Sequence, residues 1–279
     1  MCRISFVILH YNNLAETEKC LDSLKKYLAF SSVHVIVVDN GSTKESVKQI
    51  TNKYKSHQIH FIISDKNLGF AKGNNLGYNY AKYKLNSDVI VLTNNDTVYK
   101  QEDFIDKLVM HYKQGFDIAG PKILTNNGKY NQNPVMSVYH STSELKKGIT
   151  KLYILYILSW FGIDLKIQKL FGKGKEIPNN NYKNKDFKLH GACLLFSGNY
   201  LKKFDGLYSG TFMYGEEDIL RFRAKKYNLR FDYFDDLEVL HKGNATTDKE
   251  IGSGRKTRMF KYKWAIDSSK QLLNMMKNV

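Results

Sequence analysis

Cysteine is scarce in this chain of 279 residues, and acids are outnumbered: there are 3 cysteines, and 27 Asp and Glu against 43 Lys and Arg. The thiols Cys2, Cys20 and Cys193 are odd in number and lack metal-ligand spacing, so neither a disulfide framework nor a zinc site is supported, and a reducing compartment is expected. The shortage of acid leaves a formal charge of +16, which favours anionic partners such as phosphates, nucleic acid or an acidic membrane face. No apolar run reaches the roughly 20 residues that a spanning helix requires. The opening MCRISFVILHYNN lacks the basic start, long apolar run and cleavage site of a signal peptide, and reads as a strand. Without a secretion signal, the glycosylation-like tripeptides Asn95-Asp96-Thr97 and Asn244-Ala245-Thr246 are chance matches. No solenoid-length repeat occurs. The glycines of GFAKGNNLG (69–77) recur every four residues, which fits neither GxGxxG nor a P-loop and excludes the dinucleotide-fold and NTPase readings.

What is present is a series of apolar runs rich in β-branched residues: ISFVILHY (4–11), VHVIVVDN (33–40), IHFIIS (59–64) and DVIVLTNND (88–96). Such runs suit strands buried on both faces of a parallel sheet. Helical patterns lie between them. In LAETEKCLDSLKKYL, residues Leu14, Thr17, Leu21, Leu24 and Leu28 share a stripe, with Asn13 placed to cap the start. Repeated strand-helix-strand units make an open α/β sheet flanked by helices, which binds ligands outside the carboxyl ends of its strands. Those ends are polar: His10-Tyr11-Asn12-Asn13, Asp39-Asn40-Gly41-Ser42, Ser64-Asp65-Lys66-Asn67 and Asn94-Asn95-Asp96-Thr97.

Beyond Pro121 the pattern changes. Residues 124–150 and 172–186 read as loops, 151–171 as an amphipathic helix, FKLHGACLLFSG as strand, EEDILRFRAKKYN as helix, LRFDYF as strand and RMFKYKWAIDSSKQLLNMMK as a last helix. No linker separates a second domain. The expectation is a single domain over 1–279, with a nucleotide-sugar half (1–123) and an acceptor-side half (124–279).

The motifs VVDNGST, NLGFAKGNN, LTNND, HGACLLF, FMYGEEDILRFRA and VLHKGNATT, following an initial YNN, occur in the order found in family-2 inverting glycosyltransferases of the GT-A fold. The chain resembles in particular their bacterial rhamnosyltransferase-like branch, from about residue 4 to 247. The resemblance implies a GT-A fold and transfer of a sugar from a nucleoside diphosphate to a hydroxyl of a bacterial surface-glycan precursor, with dTDP-rhamnose or a UDP-sugar as donor.

It also assigns roles. Asp39 corresponds to the acid that reads the nucleobase, and a carboxylate can accept the imide proton of uracil or thymine. Tyr11, Asn12, Asn67, Gly69, Asn74, Asn94 and Asn95 fall on donor-binding segments. For Asn67, Gly69 and Asn74 the chemistry is that of amide and backbone donors at a helix start; the alternative is that the glycines merely permit close packing. The D-x-D motif of the family is reduced here to Asn94-Asn95-Asp96, which leaves Asp96 as candidate ligand of Mg²⁺ or Mn²⁺, joined by His241. Counting back from Arg223-Ala224 aligns Glu217 with the catalytic base and Glu216 with its acidic neighbour, although acids opening a helix also favour its positive end. His190, Gly191 and Ala192 line the acceptor side.

Trp160 and flanking lysines in the 151–171 segment suit peripheral contact with an anionic bilayer at the inner face of the plasma membrane, near a glycan or lipid-linked oligosaccharide acceptor; the alternative is a buried packing helix. Two other readings compete. A sugar-phosphate nucleotidyltransferase requires a basic Gly-rich loop after the first strand, where this chain has His10-Tyr11-Asn12-Asn13. A nucleic-acid-binding protein requires a lysine stripe interleaved with aromatics, whereas the lysines here are dispersed, so no nucleic-acid partner is expected.

Overall fold

The structure, a computed structural model, describes residues 1–170, 186–243 and 254–278. The loop expected over 172–186 and the Asn244-Ala245-Thr246 tripeptide fall, except for residue 186, outside the described residues.

The four apolar runs become β1 (Ile4–His10), β2 (Val33–Asp39), β3 (Ile59–Ile63) and β4 (Val89–Asn94). All four are parallel to one another, and β1, β2 and β4 are buried almost throughout. A two-residue β5 (Thr97–Val98) and the strands β6 (Ile118–Thr125), β7 (Cys193–Phe196) and β8 (Phe231–His241) complete one eight-stranded sheet of order β3-β2-β1-β4-β7-β6-β8-β5. Strand β7 is antiparallel to β4 and β6, and β6 is parallel to β8. The fold is therefore mixed α/β, with an open, mostly parallel sheet.

Helices α1 (Leu14–Leu24) and α3 (Phe104–Gln114) cover one face. There Leu21, Leu24, Phe104 and Leu108 pack on Phe6, Val35 and Val91. Helices α2 (Gly69–Tyr83), α6 (Gly198–Lys203) and α7 (Glu216–Lys226) cover the other, where Tyr78, Tyr200 and Leu220 meet Val7, Ile36 and Leu194. A third cluster joins α4 (Thr142–Trp160) and α7 to α8 (Arg255–Lys277) through Leu145, Ile219 and Leu272.

Several expectations are corrected. Strand β6 extends through Pro121 into the stretch read as loop, because a register shift between Pro121 and Lys122 spares the sheet a missing N–H donor. The strand read in LRFDYF is longer, running from Phe231 to His241 as β8. The start of α1 is not capped by the Asn13 side chain: the Glu45 carboxylate accepts the Leu14 N–H at 2.9 Å.

The 151–171 helix is two helices. Helix α4 starts earlier, where Ser141 accepts the Glu144 N–H and Glu144 accepts the His140 N–H. It stops before Gly162, whose φ of +72° breaks the ladder. A short α5 (Asp164–Leu170) then turns Asp164 inward onto Arg258 and Tyr262 of α8. Tyr153, Ile154, Ile157, Trp160, Phe161 and Leu165 are left exposed along this turn. Among the described residues no helix is long and apolar enough to cross a membrane.

Candidate functional site

The carboxyl ends of β1, β2 and β4 form a wall of interlocked polar groups. Asn12, at φ +49°, accepts the N–H groups of Thr43 and Lys44 through its side-chain oxygen. Asp39 is 1% exposed and accepts from Ser42 N, Ser46 Oγ and Val47 N. Burial alone would raise the Asp39 carboxyl, but hydrogen bonds from Ser42 and Ser46 outweigh it and hold the group below its ordinary value. Asn40 accepts the Leu68 N–H and donates to Asn67 Oδ1 and the Gly69 carbonyl, so β2 shapes the entry of α2.

The α2 glycines are explained by close packing and by backbone conformation. A Cβ at Gly73 would lie 2.7 Å from Leu9 and one at Gly77 2.3 Å from Val7, so these two permit helix-on-sheet packing. Gly69 has φ +81°, and a Cβ there would lie 2.3 Å from the Phe212 carbonyl, which accepts the Phe70 N–H. The donor-side residues do not all face the same way. Asn74 is 1% exposed and spends its amide on the Phe70 carbonyl, and Asn95 turns its amide to Asn13 O and Thr17 Oγ1 of α1. In both residues the amide nitrogen is thus engaged within the protein. Tyr11 lies half-buried in the turn after β1.

Beyond this wall, a cleft of about 300 Å³ gathers residues from positions 70 to 243 of the chain. Asn94, His190, Gly191, Ala192, Glu216, Glu217, His241 and Gly243 all line it. Asp96 adjoins it through His241, with Oδ1 3.3 Å from His241 Nε2; the pairing of β5 with β8 sets Thr97 opposite His241 and so brings the two together. The rings of His190 and His241 lie 5.3 Å apart. Burial pushes His190 down to about 4, so it is neutral at pH 7, and its Nδ1 accepts the Ala192 N–H.

The acids at the start of α7 divide their tasks. Asp218 points away from the cleft to Lys188, 2.7 Å distant. Glu217 lies over Gly191, where a Cβ would stand 2.6 Å from Glu217 Oε1; the missing side chain at 191 is what admits the carboxylate. Glu216 is 6% exposed, and its Oε1 has no hydrogen-bond partner among the described residues. Burial, reinforced by the neighbouring Glu217 charge, pushes the Glu216 carboxyl up to about 8, so it is mostly protonated at neutral pH.

Residues unmarked in the sequence complete the site. Gln132 lines the cleft and sets its Oε1 2.8 Å from His241 Nδ1; it sits in an Asn-rich stretch with no periodicity to single it out. Phe70, Met213 and Tyr214 also line the cleft. The 212–215 loop is braced by α8, through Phe212 on Trp264 and Ser268 Oγ donating to the Met213 carbonyl.

Comparison with known proteins gives the site a context. The family model described as Glycosyl transferase family 2 matches residues 5–190. The low-salt glycan biosynthesis hexosyltransferase Agl10 of Haloferax volcanii is 25% identical over 240 residues, 85% of this chain and 66% of that protein. Among solved structures, S. aureus TarS 1–349 aligns with a TM-score of 0.56 at 14% identity, covering 87% of this chain and 61% of its own. GalNAc-T7, solved with UDP, GalNAc and Mn²⁺, aligns with a TM-score of 0.56 at 13% identity, covering 94% of this chain and 50% of its own. The chain thus spans less than two thirds of the length of these proteins, and the likeness to the two solved structures is one of fold.

Proposed function

Since the chain belongs to glycosyl transferase family 2, we propose that it transfers a hexosyl group from a nucleoside-diphosphate donor to a hydroxyl of a bacterial surface-glycan precursor, with inversion at the anomeric carbon. The observation that carries this reading is one cleft lined together by Asn94, His190, Gly191, Glu216, Glu217 and His241. The relative named as a hexosyltransferase and the UDP complex of TarS, with a TM-score of 0.55, support a sugar nucleotide as donor. The donor is a dTDP-sugar such as dTDP-rhamnose, or a UDP-sugar.

The donor lies along the polar wall, its base toward Asp39, and Asn67, Gly69 and Asn94 face its ribose and phosphates. Glu217 is the base: it takes the proton of the acceptor hydroxyl as that oxygen bonds to the anomeric carbon and the bond to the diphosphate breaks on the opposite face. Glu216, protonated in its buried place, donates a hydrogen bond to a sugar hydroxyl instead of competing for the proton.

A divalent ion fits this donor set in part. Asp96 and His241 supply one carboxylate oxygen and one imidazole nitrogen 3.3 Å apart, close enough for neighbouring ligands of one ion, while no group of three His, Cys, Asp or Glu able to hold a metal occurs among the described residues. When bound there, Mg²⁺ or Mn²⁺ neutralises charge on the departing diphosphate.

The exposed turn between α4 and α5 is the membrane-facing element at the cytoplasmic leaflet. Over 145–170 the charges are Lys146, Lys147, Lys151, Lys166 and Lys169 against the single acid Asp164, which is buried on Arg258. That pattern suits an anionic bilayer and a lipid-linked acceptor.

The test is release of nucleoside diphosphate from a panel of dTDP- and UDP-sugars with lipid-linked and soluble acceptors. Turnover with one donor, lost in Asp96→Ala and Glu217→Gln, is the expected result; no turnover with any pair refutes the reading. Sedimentation with phosphatidylglycerol vesicles, reduced in Trp160→Glu, tests the membrane element separately.

A further inference from the structure

The segment Asn131-Gln132-Asn133 straps the end of β6 to His190. Asn131 Oδ1 accepts the Ile123 and Asn133 N–H groups at 3.2 and 3.1 Å, and Asn131 Nδ2 donates to Tyr233 Oη at 2.9 Å. Asn133 Nδ2 donates to the Pro121 carbonyl at 2.7 Å, while its Oδ1 accepts the His190 N–H at 3.0 Å. The Gln132 N–H donates to the Ile123 carbonyl at 2.7 Å. Its two neighbours are thus locked to the frame, and the Gln132 side chain is left pointing into the cleft, with Oε1 2.8 Å from His241 Nδ1.

An amide oxygen only accepts, so His241 Nδ1 carries the hydrogen of this bond. A neutral imidazole has one such hydrogen, and Nε2 therefore presents a lone pair. That lone pair faces Asp96 Oδ1 at 3.3 Å. Two electron-rich atoms at such a distance are held together by positive charge between them, either a second proton on the imidazole or a shared metal ion. We propose that Gln132 is a positioning residue: it fixes the Nδ1–H tautomer of His241, so that Nε2 and the Asp96 carboxylate converge on one divalent cation. Support of a ligating imidazole through its other nitrogen is a general way of orienting and strengthening it. The inference rests on the divalent-ion reading given above, and Gln132 itself touches neither ion nor substrate.

Two measurements test it. In the metal-free protein, a long-range ¹H–¹⁵N correlation spectrum reports the His241 tautomer, with Nδ1–H expected in the wild type, lost in Gln132→Met and kept in Gln132→Glu, whose carboxylate accepts the same hydrogen. Electron paramagnetic resonance of free Mn²⁺, alone and with UDP, reports metal uptake. Gln132→Met is expected to weaken it by about 10- to 100-fold, Gln132→Glu to bring it back near the wild-type level, and Asp96→Ala to abolish it. A wild-type His241 protonated on Nε2 overturns the proposal, as does Mn²⁺ uptake undiminished in Gln132→Met. Wild-type protein that takes up no Mn²⁺ overturns the metal reading itself, and the two failures are distinguishable.

Discussion

Glu216→Gln is the most direct probe of the cleft. Glu216 has an oxygen without a hydrogen-bond partner among the described residues, and its carboxyl is raised from an ordinary 4.5 to about 8 by burial and by Glu217. A carboxyl whose folded value lies above its unfolded one favours the folded state fully below pH 4.5, and this contribution is lost as pH rises toward 8. Each pK unit is worth about 1.36 kcal/mol, so the span of about 3.5 units sets an upper limit of about 5 kcal/mol. Gln keeps the size of the side chain and cannot ionise. Urea unfolding of the wild type and of Glu216→Gln, at intervals from pH 4.5 to 9, should give a stability difference that shifts steadily in favour of Gln and levels off above pH 8. Half of the limit would move the urea midpoint by about 1 M, well within detection. Glu217→Gln should compress the window from above, because it removes one of the two causes of the shift. A difference that stays constant across this range would refute both the burial argument and the role of a protonated Glu216 in the cleft.

Three further outcomes follow from the geometry. Gly191→Ala places a Cβ 2.6 Å from Glu217 Oε1 and should reduce kcat in the nucleotide-release assay by at least about 10-fold while the melting temperature changes little, since only the far end of Glu217 must move. Gly69→Ala combines φ +81° with a 2.3 Å approach to the Phe212 carbonyl and should destabilise by about 1–3 kcal/mol in urea melts. Asp39→Asn should cost about 1–3 kcal/mol at pH 7, through poorer acceptance of the Ser42, Ser46 and Val47 donors. Because the folded Asp39 carboxyl lies below its ordinary 3.8, that cost should shrink as pH falls below this value, which paired melts at pH 7 and pH 3 would show.

The amino-acid sequence determined the parallel half of the sheet. Runs such as VHVIVV suit a strand buried on both faces, and the polar residues that end them lie at the edge where sheets of this kind bind ligands. The resemblance to family-2 glycosyltransferases also pointed to Asp96, His190, His241, Glu216 and Glu217, which lie in or beside one cleft. The start of α4 was written in the sequence too, as Ser141 followed by Glu144, although the lysines and asparagines around it hid it. Only tertiary structure decided the rest. Strand β6 passes through Pro121 because a partner strand shifts register opposite it, and no local pattern encodes a partner's register. Asn94, Asn95 and Asp96 are adjacent, yet Asn94 lines the cleft, Asn95 faces α1 and Asp96 meets His241, 145 residues later, through the pairing of β5 with β8. Side-chain direction at a strand end depends on which surfaces pack against it. The pairing of Gln132 with His241 and the clearance between Gly191 and Glu217 are likewise products of long-range packing, which brings together groups that no sequence spacing relates.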